Sequence, residues 1–188
     1  MSPAQETGNG RGIARRQPGA RDALSGKQGP AGIAEEEMAE ARAVRGAMPG
    51  GGSAMFDRVV SAAPLGGFAA VQCIREGYPA AMLKAASRFF GVTDARIQDI
   101  ARVPASTASR LEKNAARIDA AATERLYRMG TVTRMAIEVF EDEAAAIEWM
   151  RQPNRAFDDT APLELMDTEP GAVSVRQVLN AIATGGVA

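Results

Sequence analysis

A chain of 188 residues, 46% apolar and 24% charged, can bury the core of one medium domain or two small ones. Its apolar runs fall far short of the roughly 18 residues that cross a bilayer, and no basic segment followed by an apolar one opens it, so a cytoplasmic protein without membrane span or secretory signal is expected. The single cysteine, Cys73, and the absence of histidine exclude an internal disulfide, a histidine-activated nucleophile and a structural zinc site; with no nucleophile–base pair or metal cluster left, the expectation is a protein that is not an enzyme and has no cofactor.

Residues 1–53 hold 11 Gly and 4 Pro and no aromatic residue. Such a segment buries too little surface to offset its ordering entropy, so a disordered leader is expected, ending in Pro49-Gly50-Gly51-Gly52-Ser53. From Phe56 onward the pattern is helix after helix, and an all-α fold is expected. Phe56, Val59 and Val60 share one face, and Phe68, Val71 and Ile74 another, which Gly77 and Pro79 end. Between Pro79 and Gly91, residues Met82, Ala86, Phe89 and Phe90 fall together. Thr93 or Asp94 caps a short helix with Ile97, Ile100 and Ala101 inward, and Asp119 caps a later one with Ala122, Leu126 and Met129 inward. A separate stripe of Val132, Met135, Ala136, Val139 and Phe140 follows, then a helix with Ala146, Ile147 and Met150 up to Pro153. Trp149, Phe157, Leu163 and Leu165 are read as packing residues. Thr168 suits the cap of a last helix running from about Gly171 to Thr184, with Val175, Val178, Leu179 and Ile182 inward.

Charge divides the chain further. Residues 54–136 hold 12 Lys/Arg against 7 Asp/Glu, whereas residues 137–188 hold 3 against 10. A basic middle and an acidic end imply two surfaces with different partners. Within the basic part, residues 92–111 have the layout of a helix-turn-helix, with Val103 as the plug of the turn. Ser106, Thr107 and Ser109 lie near a helix N-terminus, where hydroxyls and backbone N–H groups hold phosphates. Arg110 lies one turn further in, within reach of a base edge, and Arg96, Arg102, Lys113 and Arg117 flank the unit as phosphate contacts. One such unit covers little groove, so a dimer on two half-sites is expected. A helix-turn-helix-shaped packing unit that never meets DNA is the other reading of the same pattern.

The ordered set of Trp149, Pro153-Asn154, Pro162-Leu163-Glu164-Leu165, Thr168 to Gly171, Val175, Leu179 and Gly186-Val187 resembles the C-terminal toxin-binding domain of Xre/MbcA/ParS antitoxins. Ile74-Arg75-Glu76-Gly77-Tyr78-Pro79, Phe90-Gly91-Val92, Ser106-Thr107 and Glu124 to Arg128 resemble the Xre-like half of that family. The resemblance implies a type II antitoxin that blocks the active site of a RES-domain toxin, one that consumes NAD or ADP-ribosylates its target. It also implies a dimer that represses its own promoter. The chain then divides into a leader (1–53), a helix-turn-helix domain (54–130) and a toxin-binding domain (131–188). Toxin contacts are expected at Asn154, Arg176, Asn180, Thr184, Gly185, Gly186, Val187 and Ala188, and DNA contacts at Arg96, Arg102, Ser106, Thr107, Ser109, Arg110 and Lys113. One departure stands out: the family carries two basic residues after its Thr-containing motif, and here Arg110 is followed by Leu111. The alternative function is a stand-alone transcriptional regulator whose acidic half senses a ligand or dimerises.

Overall fold

A computed structural model describes residues 54–61 and 67–186; the leader, Val187 and Ala188 lie outside the described residues. The elements are α1 (Ala54–Ser61), α2 (Gly67–Glu76), α3 (Ala81–Phe90), α4 (Asp94–Ala101), α5 (Ala105–Lys113), α6 (Ala120–Phe140) and α7 (Glu143–Arg151), two 3₁₀ turns (Arg155–Phe157 and Glu164–Asp167) and α8 (Glu169–Ala183). The all-α expectation holds: among the described residues the only extended pairings are isolated bridges, Pro79 with Arg117 and Asn154 with Thr160.

The caps read from sequence are in place. Thr93 accepts from the Arg96 N–H, Asp119 from Ala122, and Thr168 from Gly171, each satisfying a donor that has no intrahelical partner. At the other end of α3, Gly91 takes the left-handed conformation (φ 63°), which lets its N–H reach back to Arg88 O and the Val92 N–H to Ser87 O.

The two stripes expected on either side of residue 130 belong to one 21-residue helix, α6. Gly130 does not break it, because an interior glycine costs only about 1 kcal/mol and no proline intervenes. Instead it admits α1: a Cβ at Gly130 would lie 2.6 Å from Val59 Cγ1. Around α6 pack α1, α2 and α4 from the first half and α7 and α8 from the second. Buried residues from Phe56 to Leu179 form one continuous core. The expected division between residues 130 and 131 therefore falls inside the helix that both halves share.

On α2 the expectation needs correcting. Phe68 and Val71 were expected to face inward, yet they are 63% and 41% exposed, with Ile74 half-buried. The buried face is Ala69, Ala70 and Cys73. Those small side chains allow α2 to lie close against α6, and close packing of the backbones outweighs burial of the larger stripe.

Candidate partner-binding surfaces

The first surface is the helix-turn-helix. Ile97, Ile100 and Ala101 anchor α4 in the core, and Val103 is buried in the turn, as the spacing predicts. Pro104 occupies the N-cap of α5 and supplies no side-chain cap, so the first N–H groups of that helix remain open to an external acceptor. Only Ala108 of α5 is buried; Ser106, Ser109, Arg110 and Lys113 are exposed, and Thr107 is half-buried. A helix that commits so little of itself to the core has most of its surface for a partner. Leu111 packs partly against the core, so the position where the family has a second basic residue is here an inward one.

The flanking arginines are placed differently from the expectation that grouped them with α5. The Arg96 guanidinium donates to Glu164 Oε1 (2.5 Å) and to the Arg151 carbonyl (3.4 Å). Arg102 Nη2 lies 2.7 Å from Asp167 Oδ2. Both therefore point to the 3₁₀ turn Glu164–Asp167 of the acidic half, while Arg117 donates to the Gly77 carbonyl. Spacing along the chain could not give these links, because their partners lie 40 to 68 residues away.

The second surface is α8. Ala172, Val175 and Leu179 are fully buried, whereas Val173, Ser174, Gln177, Asn180 and Thr184 face out. Between Pro170 and Gly186 the only charged residue is Arg176, and its guanidinium is paired with Glu169 on the same helix. The helix ends at Thr184, whose Oγ1 donates to Asn180 O (3.0 Å) and Ala181 O (3.2 Å), followed by exposed Gly185 (φ 72°) and Gly186. Asn154 is not part of this face. Its Oδ1 accepts from the Ala156 N–H (2.9 Å) and its backbone bridges Thr160, so it shapes the turn after α7.

A residue that sequence reading missed holds α8 in position. Arg128 of α6, with its side chain only 8% exposed, pairs with Glu124 one turn back and with Glu169 Oε2 (3.0 Å), and donates to the Met166 carbonyl (3.0 Å). The i, i+4 pair with Glu124 was legible in the sequence; the reach to Glu169 was not. Arg125 adds a bond to the Asp167 carbonyl (3.2 Å). Gly171 completes the junction, since a Cβ there would lie 2.3 Å from the Leu165 carbonyl oxygen. Gly171→Ala is expected to force α8 off the Leu165 turn and destabilise the fold by about 1–3 kcal/mol, measured by urea unfolding.

Ionisation follows burial and pairing. Burial raises the Tyr78 phenol far above its usual value and also raises Tyr127. The hydrogen bonds from Arg151 and Gln152 hold the Glu148 carboxyl below the usual range. No group of three or more potential metal ligands occurs among the described residues, and none of their helices is long and apolar enough to cross a membrane.

Residues 69–129 match the antitoxin Xre-like helix-turn-helix domain, and residues 135–185 match the antitoxin Xre/MbcA/ParS C-terminal toxin-binding domain. The chain belongs to the Xre family of antitoxins. Relatives in this family include the Antitoxin Xre of Yersinia enterocolitica, 24% identical over 116 residues, which are 61% of this chain and 78% of that protein. The Antitoxin Xre of Photorhabdus laumondii is 26% identical over 113 residues, 60% of this chain and 76% of the relative. That of Pseudomonas putida is 32% identical over 63 residues, which span 34% of this chain and 40% of the relative. The two matched Xre-family regions coincide with the two surfaces: α4 and α5 lie in the first, and α8 up to Gly185 lies in the second.

Proposed function

We propose that this Xre-family chain neutralises a cognate RES-domain toxin by binding it through the outer face of α8 and residues Thr184–Ala188, obstructing the toxin's active site. The reading rests on the contrast between α8 and its surroundings. The acidic half carries 10 carboxylates, yet α8 presents Val173, Gln177, Asn180 and Thr184 with its one cation already paired. A neutral face can be buried against a partner without stripping water from an unpaired charge. The carboxylates elsewhere on residues 137–188 would then speed association with a basic toxin more than they deepen affinity. Arg176 and Asn180, an i, i+4 pair, flank the apolar stripe as further contacts; Asn154 contributes through the shape of its turn.

The division of labour places DNA binding in residues 54–130 and toxin binding in 131–188. Through α5 a dimer of this chain binds the promoter of its own operon, with Ser106, Thr107 and Ser109 on phosphates and Arg110 at a base edge. The antitoxin acts by binding, without catalysis of its own, in the cytoplasm as half of a type II pair.

Deletion of residues 185–188 tests the toxin site. The truncated chain is expected to keep its helical circular dichroism and melting temperature, since Gly185 and Gly186 are exposed, but to lose rescue of cells expressing the toxin and to lose co-purification with it. Undiminished rescue by the truncated chain would rule out the tail as the blocking element.

A further inference from the structure

We propose that the acidic half restrains the helix-turn-helix: Glu164 and Asp167 occupy Arg96 and Arg102 as stand-ins for DNA phosphates, so that free antitoxin binds its promoter below its full capacity. The inference rests on the DNA-binding reading given above and adds a control built into the fold.

Three observations carry it. Arg96 lies on α4 and Arg102 in the turn that leads into α5, so both cations flank the helix whose N-terminal N–H groups stand open. Each is met by a carboxylate from the same short turn, Arg96 by Glu164 at 2.5 Å and Arg102 by Asp167 at 2.7 Å. A carboxylate offers the same oxygen acceptors to a guanidinium as a phosphate does. Arg102 also sits in the left-handed region (φ 56°) at the C-cap of α4, a conformation glycine adopts without strain.

The contacts suit exchange. The side chains of Arg96 and Glu164 are 30% and 41% exposed and those of Arg102 and Asp167 58% and 30%, and ion pairs that water reaches from one side are held less firmly than enclosed ones. By contrast Arg128, at 8%, is enclosed and keeps its partners. The turn Glu164–Asp167 leads directly through Thr168 into α8. A toxin seated against α8 that draws the exposed Glu164 and Asp167 side chains to itself, with the Arg128 anchor of the turn unbroken, frees two cations beside α5.

The test uses the full chain and a fluorescent duplex of the promoter immediately upstream of its coding sequence, titrated between about 50 and 200 mM salt. Glu164→Gln with Asp167→Asn is expected to tighten binding roughly tenfold and to steepen the dependence of log K on log salt by about two, since each phosphate neutralised contributes about 0.9. Asp158→Asn with Asp159→Asn removes the same charge from exposed positions of the same half and is expected to change neither by as much; asparagine tolerates the positive φ that both residues have. Equal gains from the two double variants would reduce the effect to net charge and overturn the proposal, as would no gain from the first. Asp167→Asn alone, which keeps the Asp167 carbonyl bond to Arg125, is expected to give about half the change in slope and serves if the double variant unfolds. Arg110→Ala with Lys113→Ala separates the two readings. If it leaves DNA binding intact, the helix-turn-helix reading fails and the restraint with it; if it weakens binding while Glu164 and Asp167 prove silent, only the restraint fails.

Discussion

Phe90→Ala is expected to lower the free energy of unfolding by about 3–5 kcal/mol, read from urea unfolding followed by circular dichroism. Phe90 is fully buried at the end of α3 and meets Phe56 of α1 and Phe89, with ring centroids 5.5 and 5.0 Å apart. The Phe56 ring also meets Phe89 at 5.3 Å. Such aromatic pairs contribute beyond the area they bury. Alanine leaves a cavity between α1 and α3 that the neighbouring rings cannot fill without leaving their rotamers. The Phe90 carbonyl also receives Arg151 Nη1 of α7 (3.3 Å), so a shift at this point loosens the second half as well. A loss below about 1 kcal/mol would mean that the three rings repack, and that the junction of α1 with α3 is not a keystone of the core.

Arg128→Met ranks next. Removing one partner of a fully buried ion pair costs about 3–5 kcal/mol. Here the carboxylates left behind are themselves 38% and 56% exposed, so water recovers them, and the expected loss is nearer the 1.5–3 kcal/mol of a charged hydrogen bond (about 2 kcal/mol). The Met166 carbonyl loses its donor too. Because Glu169 opens α8, the variant is expected to weaken toxin binding more than its stability loss requires, whereas DNA binding at a temperature well below the melting transition stays within twofold. Arg128→Lys keeps the charge but not the fork of donors, and is expected to restore part of the stability and little of the toxin affinity. Equal losses on both surfaces would show that Arg128 supports the fold as a whole, with no particular hold on α8.

Much of this was legible in the sequence, and the reasons are local. Thr93, Asp119 and Thr168 announced their helices because capping depends on a few consecutive residues. Val103, Ile97 and Ile100 marked the helix-turn-helix because their spacing fits one buried face. On α2 spacing alone does not decide the buried face. Phe68-Val71-Ile74 and Ala69-Ala70-Cys73 are both apolar stripes of helical period, and only the proximity of α6 decides between them. Trp149 and Phe157, read as core, are half-buried at the margin of the second half, where the Trp149 ring meets Phe140 on one side and the edge of Phe157 on the other. The arginine links were illegible for a different reason. Arg96, Arg102 and Arg128 find Glu164, Asp167 and Glu169 across the fold, and a count of charges along the chain records the residues but not their pairing.

The 21-residue α6 also governs how the molecule comes apart. Its buried residues Leu126, Met129, Val132 and Ala136 belong to the one core, and the helix packs against elements from both halves. Opening that helix exposes the seat of α4 and the seat of α8 together, so the described helices are expected to unfold in a single cooperative transition. A cut that severs α6 is therefore expected to cost both surfaces their native pose, so that proteolysis at this helix removes both binding activities together.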